Sequence, residues 1–378
     1  MAASITLGPT IMIEKRLLIP GPVDVDDDVL QALGAQVTPH YGLDWGAMYV
    51  DLLAGLRRIF RTSGSAYAIP GSGSAGTDAA IGSLLRAGQR AIICSNGYFG
   101  NRLCDIAEGH GIEIIRVESE WGTPINPDDV SAAFKSAGKV DALILVHGET
   151  STGVLNPLRE IAAIGNSHGV AVIADAITSL AGVELDMDGW GIDLCVSASQ
   201  KAMAAPAGIA LVAVSERGWQ RMDAQPMRKR GWYLDLNHWR EYAKEIPAYH
   251  PHPVTVPPGN TRALKVQVDK ILAQSLNTYI ARHARAAARF RTGLLARGLK
   301  PFVAESAAAP MLTLVTLPAG ADMRETVNVM RERFGLYISG GFGSLDGKIL
   351  RIGHMGKAAS DEYVDAGLAA LGEVLANG

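Results

Sequence analysis

One lysine stands alone among small residues in the segment CVSASQKAMAAPAG, which covers residues 195–208. Lys201 is open to two interpretations. It is either a solvated surface charge, or a desolvated amine whose lowered pKa lets it form a Schiff base with a carbonyl compound. The alanines and glycine that follow it would leave room for a bulky group close to the backbone. The segment alone does not decide between the two.

Two other segments carry residue types that could act together with Lys201. PGSGSAGTDAA (residues 70–80) is a Gly/Ser loop ahead of a helical pattern, so its amides and hydroxyls could bind an anion. It matches neither the GxxxxGK[ST] nor the GxGxxG pattern, and an ordinary Gly-rich turn is an equal alternative. Asp175 ends the apolar run of VIADAITS. A buried carboxylate there needs a cation or a hydrogen-bonded ligand, unless it only caps the next turn.

The three segments together favour one cofactor. Lys201 follows the strand pattern GIDLCVSAS, twenty-six residues after Asp175, so both side chains can project from neighbouring strand ends into one cleft. A phosphate-binding loop, an acid for a ring nitrogen and a Schiff-base lysine are the groups that pyridoxal 5'-phosphate requires. The sequence therefore predicts a pyridoxal-phosphate site at this edge of a sheet.

The elements that would position these residues follow from the hydrophobic pattern. Between Gly64 and Ser215, short β-rich runs alternate with helical patterns, and several runs are apolar throughout. One of the helices, NPLREIAAIGNSHG, is expected to be capped by Asn156. Fully apolar strands separated by helices indicate a mainly parallel sheet covered on both faces by helices. The predicted fold class is α/β.

The pattern changes near residue 258. A long helical stretch, about 262–297, is followed by strands of alternating pattern and by a closing helix from Ser360, which is typical of a smaller α+β unit. We therefore predict three regions: an N-terminal segment (1–20), a large cofactor-binding domain (21–257) and a small C-terminal domain (258–378).

Composition excludes several classes of function. The net charge of −3 and the lack of a basic tract give no general attraction to nucleic acid or to an anionic membrane surface. The three cysteines have no CxxC or His-pair spacing, so neither a metal site nor a disulfide framework is expected. No apolar run has membrane-spanning length and no secretory signal pattern is present, so the expected location is cytoplasmic.

Nearly the whole chain, from LLIPGPVDV near Leu17 to RIGHMG at Arg351–Gly356, resembles the class V, fold-type I aminotransferases. It is most similar to their alanine–glyoxylate and serine–glyoxylate group. The most specific segments are HGETSTGVLNPL, ADAITSLAG, SASQKAMAAPAG and LRIGHMG, in this order and spacing. The resemblance implies transamination between a small amino acid and a small 2-oxo acid such as glyoxylate or pyruvate, by a ping-pong mechanism through a Lys201 Schiff base.

The resemblance also implies a role for individual residues. Lys201 and Asp175 would be catalytic, the first as Schiff-base lysine and proton carrier, the second beside the pyridine nitrogen. The residues expected to bind the cofactor are Ser72, Gly73, Ser74, Phe99, Thr150, Asp175, Gln200, Lys201 and Thr255. Those expected to bind substrate are Gly21, Pro22 and Arg351, the last through the α-carboxylate.

Some of these residues depend on a partner subunit or stay in doubt. Thr255 would reach the phosphate of the partner's site, which implies a homodimer with its active sites at the interface. His252 lies where relatives often carry Tyr, so its part is uncertain. His147 and His354 are expected to orient backbone rather than to transfer protons.

Two other functions stay open. Pyridoxamine–pyruvate aminotransferase shares the RIGHMG segment and uses free pyridoxamine, for which no phosphate-binding loop is needed. A non-catalytic protein with a cofactor-binding fold is the more distant alternative, and the presence of Lys201, Asp175 and Arg351 together argues against it.

Overall fold

The computed structural model describes residues 14–225 and 231–375. Its strands are β1 (Arg16–Leu17), β2 (Ser65–Pro70), β3 (Arg90–Ser95), β4 (Glu113–Glu118), β5 (Ala142–Val146), β6 (Gly148–Glu149), β7 (Val154–Leu155), β8 (Ala171–Asp175), β9 (Leu194–Ala198), β10 (Ile209–Val214), β11 (Lys300–Pro301), β12 (Leu312–Thr316), β13 (Leu336–Tyr337), β14 (Ser339–Gly340) and β15 (Ile349–Gly353). Its α-helices are α1 (Asp27–Leu33), α2 (Leu43–Phe60), α3 (Gly73–Leu84), α4 (Tyr98–Gly109), α5 (Pro127–Ser136), α6 (Leu158–Ser167), α7 (Glu216–Asp223), α8 (Leu236–Glu245), α9 (Pro258–Ala273), α10 (Leu276–Leu295), α11 (Met323–Phe334) and α12 (Asp361–Leu375).

A seven-stranded sheet forms the centre, in the order β2-β10-β9-β8-β5-β3-β4. Every neighbouring pair is parallel except the two pairs that β10 makes, which are antiparallel. Strands β5, β8, β9 and β10 are buried along their whole length because helices cover the sheet. The predicted mainly parallel α/β sheet is confirmed. Its parallel strands end at one edge, and the candidate catalytic and cofactor-binding residues from the sequence analysis lie at that edge.

A smaller antiparallel sheet, β11-β12-β15-β14, packs with α10, α11 and α12. Its own apolar core includes Leu18, Phe290 and Leu350, all fully buried. Strand β1 pairs in parallel with β13, so the N-terminal segment joins this smaller unit. The smaller α+β unit of the prediction is confirmed, while the three domain boundaries stay a prediction.

The helical stretch predicted over about 262–297 is confirmed, and it consists of two helices, α9 and α10. The chain turns between them at Ser275, whose φ of +69° is left-handed and whose side chain accepts a hydrogen bond from the amide of Thr278. The apolar side of α9, including Leu264 and Val268, packs in the core of the large sheet. Helix α9 therefore lies with the large unit although it follows residue 257.

Asn156 does not cap α6, contrary to the sequence-based expectation. The helix starts at Leu158, and the Asn156 side chain turns inward instead. Its Oδ1 accepts from the amide of Ile125 at 3.0 Å and its Nδ2 donates to the carbonyl of Val146 at 2.8 Å. Asn156 thus connects the end of β5 to a neighbouring loop, because a buried amide group needs all of its partners.

The described part of the chain has no helix long and apolar enough to cross a membrane. All three cysteines, Cys94, Cys104 and Cys195, are buried and unpaired.

Candidate active site

One cavity at the carboxyl edge of the large sheet brings together most of the residues that the sequence singled out. Eight of them line it: Ser72, Gly73, Ser74, Phe99, Thr150, Asp175, Gln200 and Lys201. They come from five different segments, at the ends of β2, β3, β5, β8 and β9, and two of these segments begin α3 and α4. The strand ends meet there because β8 and β9 are parallel neighbours, with Asp175 opposite Val196.

The turn after β9 holds Lys201 inside the cavity. Ser199 closes this turn, since its hydroxyl donates to the carbonyl of Pro206 at 2.6 Å and its carbonyl accepts from the amide of Ala205. The Lys201 amine donates to the backbone carbonyl of Pro20. Burial and the charge of Arg351 lower the pKa of Lys201 to about 8, and Asp175 opposes both effects. About a tenth of the amine is therefore neutral and nucleophilic at pH 7, far more than for an ordinary lysine, and the surface-charge interpretation is wrong.

Asp175 is 6% exposed at the end of β8. Its Oδ1 accepts from the amide of Ile177 at 2.8 Å. Burial and, to a smaller extent, the nearby carboxyl group of Glu149 raise the pKa of Asp175 to about 7. A cation placed beside this carboxyl group would restore its negative charge, so the position suits a protonated ring nitrogen.

The Gly/Ser loop forms the N-terminus of α3. Ser72 is the N-cap residue and its side chain makes no capping hydrogen bond, so the first amides of the helix are left for another acceptor. A Cβ at Gly73 would lie 2.5 Å from Cδ1 of Ile177, so only glycine allows this close approach. The buried Oε1 of Gln200, in the turn before Lys201, has no hydrogen-bond partner. The uncapped amides therefore suit an anion, whereas the Gln200 oxygen, an acceptor, needs a hydrogen-bond donor.

Glu149 is a functional residue that the sequence analysis did not find. It is fully buried and accepts hydrogen bonds from the amides of Gly100 and Ser151, both at 3.0 Å, and from the Ser151 hydroxyl at 2.6 Å. A weaker bond of 3.4 Å comes from the amide of Phe99. Glu149 thereby fixes the start of α4, which carries the Phe99 ring into the cavity. Its one sequence signal was an acidic residue just after the apolar strand β5.

Arg351 lies on β15 of the smaller sheet and reaches the large one. Its Nε donates to the carbonyl of Gly340 at 2.7 Å, and its Nη1 lies 3.5 Å from the carbonyl of Thr150. The Phe342 ring covers one face of the guanidinium, 4.0 Å from ring centre to Cζ. Burial lowers the pKa of Arg351 to about 10, and Glu149 opposes this effect. Within residues 14–225 and 231–375 no carboxylate pairs with Arg351, so its Nη2 is available for a carboxylate ligand.

Gly21 is packed directly against the cavity lysine. Its φ is +98°, and a Cβ there would lie 2.5 Å from Cδ and 2.8 Å from Nζ of Lys201. Pro22 follows it in the same loop. Gly21 therefore lies against the cavity lysine, next to the carbonyl that Lys201 contacts, although neither Gly21 nor Pro22 is among the residues that line the cavity.

Thr255 is the predicted cofactor residue that this chain does not bring to the cavity. It is exposed and lies outside the lining residues. The neighbouring His252 is fully buried: its Nε2 accepts from Nε1 of Trp45 at 3.0 Å, and its Nδ1 donates to the carbonyl of Val254 at 2.7 Å. Burial lowers the pKa of His252 to about 4, so it is a neutral residue that supports the Thr255 loop.

The other two histidines named in the sequence analysis, His147 and His354, are also buried and neutral. Burial lowers the pKa of His147 to about 4 and that of His354 to about 3. The His147 amide donates to the carbonyl of Asp175 at 2.8 Å, and Nε2 of His354 pairs with the Thr313 hydroxyl at 2.9 Å. Neither contact joins a histidine ring to the backbone, so a role in orienting the backbone stays a prediction.

Among the other residues that line the cavity are three polar ones to which the sequence analysis gave no role: Thr77, Arg102 and Thr178. The Thr178 hydroxyl pairs with that of Thr150. Arg102 lies three residues after Phe99 on α4, so one face of that helix carries both side chains into the cavity.

These residues fit pyridoxal phosphate. The uncapped helix N-terminus suits its phosphate, Asp175 suits its ring nitrogen, and the Lys201 amine, with its lowered pKa, suits its aldehyde. Phe99 supplies a flat apolar surface for the ring.

Comparisons with known proteins agree with this site. The family model described as aminotransferase class-V matches residues 69–342. The alanine–glyoxylate aminotransferase structure from Nostoc sp. is 30% identical, covers 98% of both chains and has a TM-score of 0.91. Ureidoglycine–glyoxylate aminotransferase from Bacillus subtilis is 31% identical, with 98% of this chain and 95% of that one covered and a TM-score of 0.91.

A third structure, pyridoxamine–pyruvate aminotransferase from Mesorhizobium loti, is 28% identical. The alignment covers 98% of this chain and 95% of that one, with a TM-score of 0.89. The site geometry, the family model and these structures agree: the chain belongs to the class V aminotransferases of fold type I, which depend on pyridoxal phosphate.

Proposed function

We propose that this aminotransferase moves an amino group from a small amino acid, such as alanine or serine, to a small 2-oxo acid, glyoxylate or pyruvate, in a ping-pong reaction. One observation carries the proposal: Lys201, Asp175 and the Gly73 loop share a cavity, and Arg351 reaches its edge with no carboxylate paired to it in the described ranges. The cofactor supplies an aldehyde that condenses with amines and a ring that accepts the electron pair left when an α-proton departs.

The chain's own residues divide the remaining work. The guanidinium of Arg351 binds the substrate carboxylate in a charge-assisted contact. With the cofactor bound, Lys201 Nζ would be the base that takes the substrate's α-proton and the acid that returns it, and its lowered pKa suits both tasks. Asp175 keeps the ring nitrogen protonated, and Phe99 covers the ring.

The expected size of the substrate follows from the mouth of the site. The Pro20–Gly21 backbone is in contact with Lys201, and the Phe342 ring covers Arg351, so little space is left for a long side chain. Two of the similar structures act, by their names, on glyoxylate. Both observations support a small oxo acid as acceptor.

We further propose a homodimer in which Thr255 reaches the partner's phosphate site. Thr255 is exposed, and the same face carries exposed aromatic and aliphatic side chains, Tyr41, Leu43 and Tyr249. The Tyr41 and Tyr249 rings stack with centres 6.0 Å apart. A second copy of the chain would cover this apolar face. Light scattering of the purified protein tests the dimer, and Thr255→Ala should weaken cofactor binding without changing the mass.

Pyridoxamine–pyruvate transamination is the second candidate, favoured by the similarity to the Mesorhizobium loti structure. The phosphate-type loop weighs against it, because free pyridoxamine has no anion for the uncapped amides of α3.

A matrix of donors and acceptors tests the proposal. Alanine, serine, glycine and pyridoxamine are each combined with glyoxylate and pyruvate, and the products are measured. We expect turnover with a small amino acid, and an absorption band of the bound cofactor that disappears in Lys201→Ala. Turnover restricted to pyridoxamine would favour the second candidate, and a protein that never takes up pyridoxal phosphate would contradict both.

A further inference from the structure

Arg102 projects from α4 toward the loop that begins α3. Its Nη1 donates to the hydroxyl of Ser74 at 3.2 Å, and both residues line the cavity. Because the Ser74 oxygen accepts this bond, its own hydrogen is free to be donated elsewhere. The guanidinium, the Ser74 hydroxyl and the first amides of α3 therefore lie around one end of the cavity.

Two aromatic rings support the Arg102 side chain. Its Cζ lies 5.1 Å from the ring centre of Tyr98 and 5.0 Å from that of Phe99. Cation–π contacts of this length restrict the side chain and leave its other donors unused. In the described residues 14–225 and 231–375, no Asp or Glu forms an ion pair with Arg102, although the residue is half-buried. A half-buried cation without a counter-charge, beside a helix N-terminus, is arranged for an anion that the protein itself does not supply.

The charge of Arg102 is also coupled to the rest of the cavity. It lowers the pKa of Asp175, another lining residue, against the effect of burial. The cavity lining contains two cations, Arg102 and Lys201, and one carboxylate, Asp175. Since Lys201 is used in the bond to the aldehyde, Arg102 is the lining cation that remains for a phosphate.

We propose that Arg102 is a phosphate ligand that makes this site select pyridoxal phosphate over unphosphorylated pyridoxal and pyridoxamine. The inference rests on the proposed use of the cofactor and adds the residue that decides which form of it is bound. Guanidinium donors match phosphate oxygens in geometry and keep their charge at every working pH. Removing them should cost affinity only for ligands that carry the phosphate.

The test compares two ligands on the apo-protein. The dissociation constants of pyridoxal phosphate and pyridoxal are measured by absorbance or by quenching of tryptophan fluorescence, for the wild type, Arg102→Gln and Arg102→Lys. Arg285→Gln, which changes an exposed arginine of α10, is the matched control. Inorganic phosphate is added as a competitor in each case. Circular dichroism confirms that each variant is folded.

We expect Arg102→Gln to weaken the binding of pyridoxal phosphate about 10- to 100-fold, the usual effect of a lost hydrogen bond to a charged group. The dissociation constant of pyridoxal should be unchanged. Arg102→Lys should recover part of the loss, and competition by inorganic phosphate should weaken in Arg102→Gln. Equal losses for both ligands would overturn the proposal, because Arg102 would then act through the position of Phe99. No loss for either would overturn it as well.

These outcomes are separate from failure of the proposed function. A wild-type protein that does not bind pyridoxal phosphate contradicts the proposed function itself. A wild type that binds it, with a variant that shows no phosphate-specific loss, contradicts only the role of Arg102. If Arg102→Gln is unfolded, Arg102→Lys carries the test: weaker binding of pyridoxal phosphate with unchanged binding of pyridoxal supports the role of Arg102, and equal losses for the two ligands, or none, overturn it.

Discussion

Lys201 and Pro20 are 181 residues apart in the chain, and the amine of Lys201 donates a hydrogen bond to the carbonyl of Pro20. The lysine belongs to the large unit and the carbonyl to the segment that joins the smaller one. The residue after Pro20 is Gly21, whose missing Cβ leaves space for the Lys201 side chain. The two units of the chain therefore meet at the reactive amine.

The first prediction concerns this contact. Gly21→Ala would place a Cβ 2.5 Å from Cδ of Lys201 in a backbone region that L residues rarely adopt. Gly320→Ala is the matched control, because Gly320 has a similar φ of +87° and nothing within 4 Å of its missing Cβ. We expect the control to lose only about 1 kcal/mol of stability. Gly21→Ala should in addition slow uptake of the cofactor at least tenfold, measured by the growth of its absorption band. Equal uptake in both variants would show that the contact is unimportant.

A second prediction follows from the pKa of Lys201. Only the neutral amine attacks an aldehyde, and its pKa is about 8, so the rate of cofactor uptake should rise about tenfold per pH unit below that value and level off above it. Stopped-flow absorbance of the apo-protein between pH 6 and 9 measures this profile.

Two variants make the pH profile specific to the site. Arg351 lowers the pKa of Lys201 and Asp175 raises it. Arg351→Gln should therefore move the midpoint to higher pH, and Asp175→Asn should move it to lower pH. A midpoint that stays in place in both variants would mean that another group controls uptake.

The sequence alone was enough to predict that Lys201, Asp175 and the Gly73 loop lie in one cavity. Each lies at or just after the end of an apolar strand, and parallel strands end at the same edge of a sheet. That rule needs only the order of the elements. Arg351 was found in another way, by the resemblance of its segment to a family, and its place beside Thr150 required the fold.

Contacts between distant segments escaped the sequence analysis for a physical reason. The role of Glu149 in fixing the start of α4 depends on a hydrogen bond from the amide of Gly100, which is 49 residues away in the chain. The turn at Ser275 also gave no signal, since no Gly or Pro interrupts the helical pattern there and Ser275 takes the left-handed conformation itself. Hydrophobic patterns in the sequence report only local periodicity, whereas the Glu149 contacts and the Ser275 turn depend on tertiary packing.

A third prediction addresses the substrate carboxylate. Arg351→Ala should raise KM for both the amino acid and the oxo acid roughly 10- to 100-fold, because it removes hydrogen bonds to a charged group. The bound cofactor's absorption band should be unchanged. Lys348→Ala, an exposed cation just before β15, is the control and should leave both KM values as they are. A normal KM in Arg351→Ala would place the carboxylate elsewhere.

The last prediction separates stability from activity at Asp175. Its folded pKa of about 7 lies above its ordinary value of 3.8, so the folded protein binds this proton more tightly than the unfolded chain does. The stability that the protonated form contributes is present below pH 3.8 and is lost as the pH rises to about 7, at about 1.4 kcal/mol per pH unit. Above pH 7 the buried charge is therefore a cost of folding.

Asp175→Asn removes this cost and retains an oxygen for the amide of Ile177. We expect the apo-protein of this variant to melt several degrees higher than the wild type at pH 8, and the difference to shrink steadily as the pH falls toward 4. Transamination should fall by at least a hundredfold, because the ring nitrogen loses the carboxylate that keeps it protonated. Calorimetry at three pH values and single-turnover kinetics measure the two effects. An Asn variant that is less stable than the wild type at pH 8 would show that the carboxyl group is charged and paired in the folded protein.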